Sequence, residues 1–65
     1  MNFGEIIKKC RKYRGLTLKQ LAHKSGVSEG ALSNWETNKC DPSIYNYESV
    51  LNALGFRLEI TVKEK

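Results

Sequence analysis

Several functions are excluded by what this sequence lacks. Its two cysteines, Cys10 and Cys40, and its single histidine, His23, do not have the spacing of a zinc site, and two thiols do not make a disulfide framework. They read as reduced thiols of a cytoplasmic protein, and neither metal nor cofactor is expected. No apolar run is long enough to cross a membrane, and Met1 to Glu5 carries no basic stretch leading into an apolar one. Neither a membrane span nor secretion is therefore expected. The carboxylates are scattered, no glycine-rich loop is present to cradle a phosphate, and His23 falls on the outer face of its helix. Nothing converges for catalysis, so the sequence does not read as an enzyme.

What remains is a small basic chain. Its 65 residues make one domain with a marginal core, which a partner subunit would help to stabilise. The net charge of +4 suits an anionic partner.

The most informative stretch runs from Leu16 to Glu36, LTLKQLAHKSGVSEGALSNWE. Thr17 is placed to cap a helix beginning at about Leu18, Gln20 three residues on completes a capping box, and Leu16 and Leu21 flank the pair as a hydrophobic staple. Leu18, Leu21 and Ala22 face inward, and Gly26 stops the helix. Ser28 then caps a second helix, with Val27 stapling onto Leu32. That helix buries Leu32 and Trp35 and turns Glu29, Gly30, Ser33 and Asn34 outward. Two capped helices joined by a glycine turn at this spacing form a helix-turn-helix, a motif that lays one helix in a DNA groove.

Helical spacing of Phe3, Ile6, Ile7 and Cys10 predicts a further helix before the motif, over about Asn2 to Arg14, with Gly15 ending it. Lys8, Lys9, Lys12 and Arg14 fall on its outer surface or last turn, either as a solvated basic face or as phosphate contacts. After the motif, Ser43 caps a helix that carries Ile44, Tyr47, Val50, Leu51 and Leu54 inward and ends at Gly55. The expected core comprises Ile6, Ile7, Leu21, Ala22, Val27, Leu32, Trp35, Val50, Leu51 and Leu54.

Through Leu18, Leu21, Ala22, Gly26, Val27, Ser28, Leu32, Trp35 and Glu36, followed by Lys39, Pro42 and Ser43, the chain resembles the Xre or lambda-repressor-like helix-turn-helix family, over roughly Phe3 to Gly55. The resemblance implies an all-α fold, a compact bundle of four or five short helices whose third is the recognition helix. It also implies an ion pair between Arg11 and Glu36, structural rather than catalytic. The family's base-facing positions fall on Ser28, Glu29, Gly30, Ser33 and Asn34. Of these, Asn34 suits adenine and Glu29 the amino group of cytosine, while no arginine is present to grip guanine. Leu18 stands where the family often has glutamine, and Thr37 and Asn38 where it usually has a basic residue and a glycine, so two contacts are missing. Backbone contacts are left to the start of the second helix, with Thr17 and Lys19, and to Lys39 and Ser43.

The period changes at the end of the chain. Phe56, Leu58, Ile60 and Val62 alternate with Arg57, Glu59, Thr61 and Lys63, a half-buried strand pattern with no sheet to join within the chain. The expected partner is the same strand of a second copy, antiparallel and centred on Leu58, which sets Arg57 opposite Glu59 and Phe56 opposite Ile60; the alternative is a frayed tail folded against the chain's own helices. Some antitoxin-like members of the family end in such a strand. The division expected is a helix-turn-helix DNA-binding domain over residues 1–55 and a dimerising strand and tail over 56–65. The function expected is sequence-specific DNA-binding regulation, a homodimeric repressor on a palindromic operator in double-stranded DNA. The alternative is an antitoxin or other protein-interaction subunit with a toxin partner.

Overall fold

Each helix of the computed structural model, which describes residues 2–59, starts at a side-chain cap written in the sequence. Asn2 accepts a hydrogen bond from the Glu5 amide at 2.9 Å and opens α1 (Phe3–Tyr13). Thr17 opens α2 (Leu18–Ser25), Ser28 opens α3 (Glu29–Glu36) and Ser43 opens α4 (Ile44–Ala53), each with its hydroxyl oxygen accepting from an amide three residues on. Such caps satisfy backbone donors that the first turn leaves without partners, at about 1 kcal/mol each. Gly26 closes α2 at φ +75°, a conformation that costs a side-chain-bearing residue roughly 1 kcal/mol or more.

The helices pack α1 and α2 each against both α3 and α4. Ile7, Leu21, Leu32 and Val50 are sealed from solvent at the centre, with Trp35, Tyr47, Leu51 and Leu54 buried around them. Burying each large side chain contributes about 1.5–3 kcal/mol, which holds four short helices together that would not persist singly. Phe3 closes one end of the core edge-on to Tyr47, ring centres 4.6 Å apart.

Several expectations change in three dimensions. Ile6, Ala22 and Val27 pack against the core but are only half-buried. Ile44 is 53% exposed, because it begins α4 at the edge of the buried arc. Pro42, just before the cap, is buried, and Tyr47 one turn later supplies the inward ring. Arg14 does not belong with the free basic face. Its Nε donates to the Leu54 carbonyl at 2.8 Å and its guanidinium lies 4.7 Å from the Phe56 ring centre, fastening the end of α1 to the end of α4.

A contact absent from the sequence reading is at Gly4. A Cβ there would lie 1.8 Å from the Trp35 carbonyl oxygen, so α1 reaches α3 backbone to backbone only because the residue is glycine. The signal available was a glycine inside a helix whose neighbours are apolar, where it costs about 1 kcal/mol relative to alanine without some such contact.

Four helices stand among the described residues, and Phe56 to Glu59 forms no strand with any of them. The expected alternation is nonetheless present over those four residues. Phe56 and Leu58 are half-buried against the core, while Arg57 and Glu59 are exposed with Nε and Oε1 3.9 Å apart. Ile60 and Val62 lie outside the described residues.

Candidate nucleic-acid interface

The third helix, α3, is held from behind by one part-buried ion pair. Arg11 of α1 donates from Nε and Nη2 to the two carboxylate oxygens of Glu36, both at 2.8 Å, and from Nη1 to the Leu16 carbonyl at 2.9 Å. The two side chains are only 12% and 5% exposed, so the charges are desolvated and the paired geometry is what makes them tolerable. Hydrogen bonding to Glu36 raises the Arg11 pKa, burial working against it and the carboxylate charge with it. One guanidinium thus ties α1, the turn into α2 and the end of α3 together.

The end of α3 is equally defined. Asn38 takes the left-handed conformation at φ +62°, donates its amide to the Trp35 carbonyl at 3.1 Å, and lets Lys39 donate its own to the Asn34 carbonyl at 2.8 Å. This pairing is a Schellman ending, with asparagine in the place usually given to glycine. The Thr37 hydroxyl adds a bond to the Ser33 carbonyl at 2.7 Å. Lys39 is therefore carried on a turn fastened to α3, not on a loose loop.

With its back and end fixed, α3 presents Ser28, Glu29, Gly30 and Asn34 to solvent. Ser33 is the exception among the base-facing positions. It is half-buried, because it shares a flank of α3 with Glu36, which α1 covers. Asn34 and Glu29 have no side-chain hydrogen bond or ion pair to another described residue, so their polar groups remain available. Ser28 already accepts from the Ala31 amide at 3.1 Å, which leaves its hydroxyl hydrogen free to donate.

Thr17 and Ser43 are committed in the same way. The Thr17 capping box is complete, with Gln20 N to Thr17 Oγ1 at 3.1 Å and Thr17 N to Gln20 Oε1 at 2.8 Å. The Gln20 carbonyl oxygen is thereby occupied as well, while its amide nitrogen stays free to donate. Each capping hydroxyl retains one donor hydrogen, and the amides of the first turns of α2 and α4 add partial positive charge, the arrangement that receives a phosphate. Lys19 and Lys39 are both exposed beside these ends. Among the described residues no group of three histidine, cysteine or carboxylate side chains could hold a metal ion, and no helix is long and apolar enough to cross a membrane.

Comparison with known proteins agrees with this architecture. The helix-turn-helix family model matches residues 7–60. The chain is 38% identical over 65 residues to the immunity repressor protein of Bacillus phage phi105, covering all of this chain and 45% of that protein. It is also 38% identical over 63 residues to the HTH-type transcriptional regulator SinR of Bacillus subtilis, covering 95% of this chain and 57% of that protein. The chain thus spans about half the length of these curated relatives. No solved structure matches significantly. The matched span takes in all of α2, α3 and α4 and most of α1, and the chain belongs to the helix-turn-helix family, of the Xre or lambda-repressor-like kind.

Proposed function

We propose that this chain is a DNA-binding repressor that reads a palindromic operator as a homodimer. The observation that carries the reading is the rigid mounting of α3. Its polar edge of Ser28, Glu29, Gly30 and Asn34 stands free, while the capped starts of α2 and α4 and the Lys39 turn can take the phosphates on either side. The names of its relatives, an immunity repressor and a transcriptional regulator, agree with regulation and not with catalysis. Asn34 offers a bidentate contact to adenine and Glu29 an acceptor for the cytosine amino group, each good pair discriminating by about 1–3 kcal/mol.

Dimerisation follows from the few basic contacts one copy can make and from the segment after α4. Phe56 and Leu58 lie inward and Arg57 and Glu59 outward, and the backbone of residues 57–59 makes no backbone hydrogen bond to another described residue. Pairing with a second copy about Leu58 would satisfy that edge and exchange the Arg57 and Glu59 contacts between chains. Selection of bound duplexes from a random pool at near-physiological salt tests the reading. A palindrome with half-sites about one helical turn apart is expected. Absence of enrichment by the folded protein would overturn it and favour a protein-binding role, such as that of an antitoxin, in which a toxin should copurify.

A further inference from the structure

The basic residues of α1 and its C-cap, Arg14, have different fates. Arg11 is buried on Glu36 and Arg14 is spent on the Leu54 carbonyl. Lys9 lies 3.7 Å from Glu5 one turn away. Lys8 and Lys12 remain, exposed and with no carboxylate within ion-pair distance among the described residues. Lys8 follows Gly4 by one turn, so it shares the flank of α1 that presses against the end of α3. Both lysines line a shallow groove between α1 and the end of α3, together with Asn2, Glu36 and Asn38. The carboxylates in this groove are already answered, Glu36 by two hydrogen bonds from Arg11 and Glu5 by Lys9. A surplus of two positive charges is left, with no carboxylate within ion-pair distance of either among the described residues.

From this placement we infer that Lys8 and Lys12 bind a backbone phosphate of the same DNA duplex, beyond the phosphates met by Lys39. The site rests on the DNA-binding reading and extends its footprint past the helix-turn-helix. Continuity supports the assignment. Asn38 lines the groove and also forms the Schellman turn that carries Lys39, so the groove and the Lys39 contact adjoin on one surface. The side chain of Asn38 reaches α1, its Oδ1 lying 3.3 Å from the position a Cβ on Gly4 would take. The groove, about 400 Å³ in volume, is open and lined by polar and charged side chains. It lacks the buried apolar lining that a small-molecule pocket needs.

The test is the salt dependence of affinity for a mixed-sequence DNA duplex, measured for the wild-type chain and for K8Q, K12Q and K24Q. Each neutralised phosphate contributes about 0.9 to the slope of log affinity against log salt. Because the two lysines share one phosphate, K8Q and K12Q together should flatten that slope by about 0.9, with the helical circular dichroism unchanged. K24Q removes the same charge at the end of α2 and should leave the slope where it is. If the double variant keeps the wild-type slope, or loses no more than K24Q does, the site is overturned while DNA binding stands. If the wild-type chain binds no duplex at any salt, both the site and the reading beneath it fall.

Discussion

Replacing Glu36 by alanine should be among the most damaging single changes in this chain, and the reason is electrostatic more than steric. In the folded protein the carboxylate is 5% exposed and receives two 2.8 Å hydrogen bonds from a guanidinium that is itself 12% exposed. Removing it leaves Arg11 with only the Leu16 carbonyl as partner among the described residues. A buried charge stranded in this way costs about 3–5 kcal/mol. A domain of this size has a total stability of roughly 3–10 kcal/mol, so the loss removes between about a third and all of it. Thermal melts followed by circular dichroism should show the midpoint falling by at least about 12 °C, taking roughly 4 °C for each kcal/mol. Replacing the pair together, Arg11→Met with Glu36→Leu, should recover much of the loss, because no unpaired charge then remains. A loss below about 1 kcal/mol for Glu36→Ala is what an exposed surface pair would give, and it would refute the burial argument.

Other perturbations test separate parts of the account. Gly4→Ala should destabilise by about 1–3 kcal/mol despite the better helix propensity of alanine, because the new methyl group meets the Trp35 carbonyl; a raised melting temperature would mean that α1 does not approach α3 so closely. The Tyr47 pKa is raised, first by burial and then by the Cys10 charge, so the neutral phenol is favoured by folding. Stability from this residue is complete below the unfolded pKa of about 10 and is lost as pH rises towards and through the folded value, and complete tyrosine ionisation with intact helical dichroism would contradict it. Asn34→Ala should relax preference at one base pair by about 1–3 kcal/mol in binding to a selected operator, whereas Lys39→Ala should weaken all sequences alike and flatten the salt dependence; the reverse pattern would exchange their roles. Truncation after Gly55 should turn a dimer into a monomer by light scattering, and an unchanged mass would remove the terminal segment from the interface.

The helix ends were legible in the sequence because their chemistry is local. Thr17 with Gln20, Ser28, Ser43 and Gly26 each act within four residues, and all four mark boundaries in the fold. The inward stripes were legible for the same reason, down to Leu21, Leu32, Trp35 and Val50. What escaped depends on neighbours distant in the chain. Gly4 looks like a weak point in a helix until the Trp35 carbonyl is seen against it, and Arg14 looks like a free cation until α4 ends beside it. Ile44 has the right period to be buried but lies at the edge of the arc, where packing decides. Arg11 and Glu36 were paired by family resemblance; no local rule joins residues 25 positions apart. In the interface, the resemblance could name Ser28, Glu29, Gly30, Ser33 and Asn34, but only the packing of α1 over the Glu36 flank distinguishes half-buried Ser33 from the rest.

The central claim is that α3 enters the groove by its exposed polar edge. It is tested most directly by adding a selected operator duplex to the isotopically labelled chain and following every backbone amide by NMR. The account predicts that the largest changes fall on residues 28–30 and 34, with a second group at the starts of α2 and α4 and at Lys39. Changes confined to Tyr13, Phe56 and Leu58, with the amides of α3 unmoved, would contradict it.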